Sequence, residues 1–174
     1  MDATSWLRRD HDLILDGLDA LHAAATCVRA GGTLPPESTQ PLVAFFREFA
    51  DSYHHHKEEH GLFPALEEAG LPPQGPVGMM LYEHEQGRKF IKGMNDALPN
   101  LSVEDALEYV DLMRAHIDKE NQVLFNIADR MLSPNTDRSL MTMFSEKADA
   151  MPQIVAPERH KKLFADVRTA AGKK

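Results

Sequence analysis

The chain has 174 residues, 43% hydrophobic and 26% charged, which is enough for one domain with a full core. Its net charge of −8 argues against binding nucleic acid, because a surface that binds phosphates needs clustered basic residues. The single cysteine, Cys27, excludes an intrachain disulfide and a site built on several cysteines. No apolar run approaches the roughly 18 residues of a membrane span, and no signal-peptide core is present. We therefore expect no membrane partner and a cytoplasmic location.

Apolar residues recur at intervals of three and four along most of the chain, which is the spacing of helices that bury one face. We therefore predict an all-α fold with no strands. The predicted helices cover about residues 4–30, 38–68, 75–98, 103–132, 136–150 and 158–170, with glycine or proline near each break. The first four form an up-down-up-down four-helix bundle over residues 1–132, and residues 133–174 form a C-terminal extension of two helices packed on the bundle.

Each of the four predicted bundle helices carries histidine on its apolar stripe. The first has His11, the third His84 and the fourth His116, while the second has three consecutive histidines at 54–56. One histidine on an apolar stripe is usually a hydrogen-bonded core residue. Four helices that each bring an imidazole to the same interior favour a shared binding site instead.

Two of these helices also carry a glutamate four residues after a histidine, and this spacing places both side chains on one helical face. On the fourth helix the pair is His116 and Glu120. The second helix offers two registers, His54 with Glu58 and His55 with Glu59.

The choice between these registers rests on two observations that disagree. Phe63 lies nine residues after His54, and the same interval separates histidine from phenylalanine on the fourth helix. Helical periodicity instead places His55 and Glu59 on the face that carries the phenylalanines. We prefer His55 and Glu59, because burial of those aromatic side chains should fix the rotation of the helix. A local bulge in the helix would reverse this choice.

Six polar groups in an apolar interior would each cost a few kcal/mol unless they share a partner, and a metal centre provides one. Imidazole nitrogen and carboxylate oxygen without sulfur suit iron, manganese or zinc. Six ligands are more than the four that one tetrahedral zinc ion binds, and they suit two metal ions joined by the carboxylates. The predicted ligands are His11, His55, Glu59, His84, His116 and Glu120, with His54 and Glu58 as the alternative register.

These motifs together resemble the hemerythrin-like family of HHE cation-binding domains, and the resemblance covers about residues 4–131. It rests on the sequences RDH at 9–11, HHHKEE at 54–59, LYEHEQGR at 81–88 and HIDKE at 116–120. The resemblance implies a non-haem centre of two iron ions with an oxo or hydroxo bridge; manganese and zinc remain alternatives.

The third helix departs from the O2-carrying members of that family. Those members place two histidines four residues apart on it, whereas here Arg88 follows His84 at that interval. The missing imidazole leaves the centre more open, unless a nearby acid such as Glu83 or Glu85 replaces it. This departure favours reactive chemistry or sensing over reversible O2 carriage.

Three functions are consistent with these residues. The first is a catalase-like or oxidase-like di-iron protein that reacts with peroxide, O2 or NO under oxidative or nitrosative stress. The second is a module that binds or senses O2, NO or iron without turnover. The third is a plain bundle with a hydrated polar interior. The sequence does not choose between a monomer and a homodimer.

Overall fold

The computed structural model describes residues 2–172, and this part of the chain is helical without any strand, as predicted. None of its helices is both long enough and apolar enough to cross a membrane. The elements are α1 (Ala3–Arg29), α2 (Pro36–Phe45), π1 (Phe46–His55), π2 (Glu58–Leu62), α3 (Phe63–Glu68), α4 (Pro76–Ala97), α5 (Val103–Lys119), π3 (Glu120–Leu124), α6 (Phe125–Met131), α7 (Pro134–Ala150) and α8 (Pro157–Ala171).

Several of these elements join into longer helical rods. Residues 36–68 run from α2 to α3 without a loop, and residues 103–131 run from α5 to α6 in the same way. The described residues therefore form six rods, which match the six predicted helices. The π segments bond residue i to residue i+5, so their turns are wider than those of an α-helix. Periodicity at 3.6 residues per turn does not reveal such segments.

Local interactions set the limits of α1 and α7. The carboxylate of Asp2 accepts a hydrogen bond from the backbone N–H of Ser5 at 2.8 Å, which caps the start of α1. Beyond its end, Gly31 has φ = 88°, a conformation that glycine adopts at little cost. Ser133 caps α7 by accepting from the N–H of Thr136 at 3.1 Å.

The buried apolar residues form two clusters. The first includes Ile14, Leu18, Phe46, Tyr53, Ile91, Tyr109 and Met113. The second includes Leu7, Leu62, Phe63, Met80, Leu124 and Phe125. α1 and α4 pass from the second cluster to the first, whereas rods 36–68 and 103–131 pass from the first to the second. The histidines and glutamates of the predicted site lie near the point where each rod passes between the clusters.

The C-terminal helices pack closely on this scaffold. α8 lies against α1 and α2, and the rings of Phe164 and Phe45 are 4.8 Å apart. A side chain at Gly17 would lie 2.7 Å from Phe45, so glycine allows this close approach. α7 lies against π2, where a side chain at Gly61 would collide with Met143.

The predicted division into residues 1–132 and 133–174 remains a prediction. The helix break at Leu132 and Ser133 agrees in position with that boundary. Residues 1, 173 and 174 lie outside the described part of the chain.

Replacement of Phe164 by alanine should lower the free energy of unfolding by about 3–5 kcal/mol, because the ring is buried between α1 and α2. Urea unfolding followed by circular dichroism measures this change. As a control, Tyr82→Ala removes an aromatic side chain that is 61% exposed and should change stability by about 0.5 kcal/mol or less. Equal effects of the two variants would show that α8 does not contribute to the core.

Candidate metal centre

Seven polar side chains meet in the interior where the rods pass between the two apolar clusters. None is more than 2% exposed to solvent. They come from four rods, so the long-range packing of the fold brings them together. They are His11, His54, His55, Glu58, His84, His116 and Glu120.

These side chains form two adjacent groups, and in each group one nitrogen or oxygen atom per residue lies within 4.8 Å of the others. Glu58 belongs to both groups. One group is His11, His54, Glu58 and Glu120, and the other is His55, Glu58, His84 and His116. Two groups that share a carboxylate are suited to two neighbouring cations.

Glu58 faces both groups with different oxygen atoms. Its Oε1 lies 3.4 Å from Nε2 of His54, and its Oε2 lies 3.5 Å from Nε2 of His84. Burial, with the negative charge of Glu120, raises the pKa of Glu58 to about 8. Without a cation the site therefore disfavours a second ionised carboxylate.

Glu120 also lies between the groups. Its Oε2 is 3.2 Å from Nε2 of both His11 and His116. Burial acts to raise the pKa of Glu120, but the two histidines outweigh it and hold that pKa well below its usual value. Burial likewise acts to lower the pKa of His116, but Glu120, Glu83 and Glu58 raise it to about 10.

Many atoms that face this interior have no hydrogen-bond partner among the described residues. They include Nε2 of His11, His54 and His55 and both carboxylate oxygens of Glu58 and Glu120. A buried polar atom left unpaired costs about 1–3 kcal/mol. A bound cation would satisfy these atoms together, so the residues present fit a metal centre.

The other ring nitrogen, Nδ1, of each histidine faces a polar side chain of the surrounding protein. An ionised carboxylate accepts only, so at His54, His84 and His116 Nδ1 is the natural donor and Nε2 is left to bind metal. The hydrogen-bonded pairs are His11–Asn121 at 2.9 Å, His54–Asp10 at 3.2 Å, His84–Glu59 at 2.7 Å and His116–Glu83 at 2.9 Å. Nδ1 of His55 lies 3.5 Å from Asp51 and makes no hydrogen bond among the described residues.

The structure places Glu59 outside both groups. Its Oε1 accepts hydrogen bonds from Nδ1 of His84 at 2.7 Å and from Arg88 at 2.6 Å. Glu58 lies in the shared position instead. His54 and His55, treated as alternatives in the sequence analysis, both face the interior. The wide turns of π1 and π2 account for this arrangement, because they carry two consecutive histidines to the same side of the rod.

His55 is the imidazole that accompanies His84 and His116 in the second group. Its ring stacks on His84 with a centroid separation of 3.8 Å and an angle of 14° between the planes. α4, the third predicted helix, supplies only His84 to the two groups. Arg88, four residues later, pairs with Asp51 at 2.9 Å instead. The second rod thus supplies a third imidazole to this group.

The acids considered as substitutes for that imidazole lie elsewhere. Glu83 accepts hydrogen bonds from Nδ1 of His116 and from Lys119. Glu85 is exposed and pairs with Arg88 at 2.5 Å. Neither carboxylate belongs to the two groups.

Addition of Fe(II) under anaerobic conditions should raise the thermal unfolding temperature of the metal-free protein. Binding to the folded state alone contributes about 4 kcal/mol when the free metal is 1,000-fold above Kd. His116→Ala should lose most of this gain, and Mg²⁺, which prefers oxygen ligands, should give little. Scanning calorimetry measures the shift. An unfolding temperature that Fe(II) leaves unchanged would contradict a metal centre.

A comparison with known families agrees with this geometry. The family model described as "Hemerythrin HHE cation binding domain" matches residues 2–128, which include all seven side chains. No significant match was found among curated proteins or among solved structures. The match covers most of the chain and confirms the resemblance drawn from the sequence motifs. The chain therefore belongs to the hemerythrin HHE cation-binding domain family.

Proposed function

We propose that this protein holds two iron ions and reacts with a small oxidant such as peroxide, O2 or NO. The observation that supports this most strongly is the pair of adjacent groups that share Glu58 and contain unpaired buried nitrogen and oxygen atoms. Five imidazoles and two carboxylates without sulfur suit iron, and manganese or zinc would also accept this set. Bound iron would supply the electrons for reduction of the oxidant.

The proposed ligands divide between the two metal positions. His11 and His54 would hold one ion, and His55, His84 and His116 the other. Glu58 and Glu120 would lie between them, because each is near histidines of both groups. This assignment keeps five of the six ligands predicted from sequence, replaces Glu59 by Glu58 and adds His54.

The protein's own contribution is to hold the imidazoles and exclude water. Asp10, Glu59 and Glu83 accept hydrogen bonds from Nδ1 of their histidines, which fixes ring orientation and increases ligand basicity. Phe125 stacks on His11 at a centroid distance of 5.3 Å, and Phe63 stacks on His84 at 5.8 Å. These rings shield the site from solvent on the side of the second cluster.

We propose an up-down-up-down bundle in the cytoplasm as the setting for this chemistry. The alternating direction in which successive rods connect the two apolar clusters supports the bundle. A second function, sensing without turnover, is favoured by the contact of α7 with π2, because that contact joins the C-terminal extension to the rod that carries Glu58.

Glu58→Gln and Glu59→Gln are matched variants that differ by one position. Glu58→Gln should lose at least one iron per chain after anaerobic reconstitution and desalting, because an amide is a poor bridging ligand. Glu59→Gln should keep two irons at saturating metal, although loss of its hydrogen bond to His84 can weaken affinity by about 10–100-fold. Iron analysis measures both. The reverse result would support the register of His55 with Glu59.

Iron-loaded protein should consume added hydrogen peroxide, whereas metal-free protein and Glu58→Gln should not. Oxygen release or loss of peroxide absorbance measures the reaction. If the iron-loaded protein leaves peroxide intact and instead forms a stable, reversible adduct with O2 or NO, the sensing function replaces the enzymatic one.

A further inference from the structure

A cavity of about 450 Å³ lies beside the metal centre, between α1, π1 and residues 155–161 of the C-terminal extension. This volume falls within the roughly 300–1,000 Å³ of small-molecule sites. Its apolar walls are Trp6, Leu13, Phe49, Tyr53, Val155 and Pro157. Three of these six side chains are aromatic, so the cavity offers ring faces and edges to a planar ligand.

Asp10 connects this cavity to the metal centre. Asp10 lines the cavity, although only 8% of its surface is exposed to solvent. Its Oδ2 accepts hydrogen bonds from Nδ1 of His54 at 3.2 Å and from the ammonium group of Lys57. An ionised carboxylate has about four lone-pair positions, so Asp10 can accept a further hydrogen bond from a molecule in the cavity.

The charges around the cavity are balanced. Lys57 is fully buried behind it, with its ammonium nitrogen 3.8 Å from the ring centre of Tyr53. The negative groups are Asp10, Asp12 and Asp16, and the positive groups are Arg9, Lys57 and Lys161. Asp16 also pairs with Arg168 at 2.8 Å, and Lys161 pairs with Glu158 at 3.1 Å. These pairs keep the two signs in balance, so the site favours neither a cation nor an anion. A neutral molecule is therefore the best match.

We propose that this cavity binds a neutral hydroxylated aromatic molecule, of the phenol or hydroquinone class, whose hydroxyl group donates a hydrogen bond to Asp10. The ring lies among Trp6, Phe49 and Tyr53. The bound hydroxyl shares the negative charge of Asp10 with His54, which weakens the hydrogen bond to Nδ1 and makes His54 a poorer electron donor. This last consequence rests on the proposed di-iron function, whereas binding itself does not.

The test is a titration of the iron-loaded full chain with 4-methylphenol, followed by the fluorescence of Trp6. Trp6 is the only tryptophan in the sequence and lines the cavity, so its signal reports on this site. 4-Methylanisole, which has the same ring but no hydroxyl proton, should bind at least about tenfold more weakly, because it cannot donate to a charged acceptor. Absence of saturable binding, or equal affinity for both probes, would overturn the proposal.

A pair of variants tests the location. Val155→Phe fills the cavity from the C-terminal extension and should weaken 4-methylphenol binding at least about tenfold. Val123→Phe makes the same change at a position that is 50% exposed and outside the cavity, and should leave affinity unchanged. If Val155→Phe binds like the wild type, the ligand lies elsewhere and the proposal fails.

Metal removal separates this proposal from the di-iron function. Metal-free chain should still bind 4-methylphenol saturably, with an affinity within about tenfold of that of the iron-loaded chain, because the coupling through His54 is reciprocal but modest. Binding that disappears with iron would indicate direct coordination and overturn the cavity site. A chain that binds the phenol but takes up no iron would instead contradict only the proposed function. In iron-loaded protein, 4-methylphenol should raise the midpoint potential of the iron. An unchanged potential at saturation would overturn the link to His54.

Discussion

The burial of two carboxylates beside five imidazoles is the constraint on which the rest of this structure depends. Glu58 and Glu120 are fully buried, and ionised carboxylates in an apolar interior are costly unless they are paired or bind metal. The surrounding protein lowers this cost by hydrogen-bonding Nδ1 of four of the five histidines to polar side chains. A bound cation would lower it further by satisfying the Nε2 atoms and the carboxylate oxygens.

The C-terminal helices belong to this arrangement through one buried cation. Lys57 pairs with Asp10, the partner of His54, and lies within 5.5 Å of the ring centres of Trp6 and Phe144. Phe144 belongs to α7, so the C-terminal extension contacts Lys57 directly. Lys57 in turn is linked to the candidate metal centre through Asp10 and His54. The same extension forms part of the neighbouring cavity through Val155 and Pro157. A change in the packing of the extension can therefore reach the site without moving a ligand.

Much of this architecture follows from sequence, and the exception has a physical cause. The six rods follow from apolar periodicity and from glycine and proline at their ends. His11, His84, His116 and Glu120 lie in regular α-helix or at its end, and the structure brings them together as periodicity predicts. The second rod differs because π1 and π2 change the number of residues per turn, so extrapolation from the phenylalanines at 45 and 49 points to Glu59 instead of Glu58. The nine-residue interval between His54 and Phe63 points to Glu58, the glutamate that lies in both groups, because it compares two rods with similar π segments.

The most direct test of the central claim is a crystal structure of iron-reconstituted protein with anomalous scattering data collected at the iron absorption edge. The account predicts two iron peaks per chain, one between His11, His54, Glu58 and Glu120 and the other between His55, Glu58, His84 and His116. Glu59 should contact neither ion and should remain paired with His84 and Arg88. A single iron peak, no peak, or a peak coordinated by Glu59 would contradict the account.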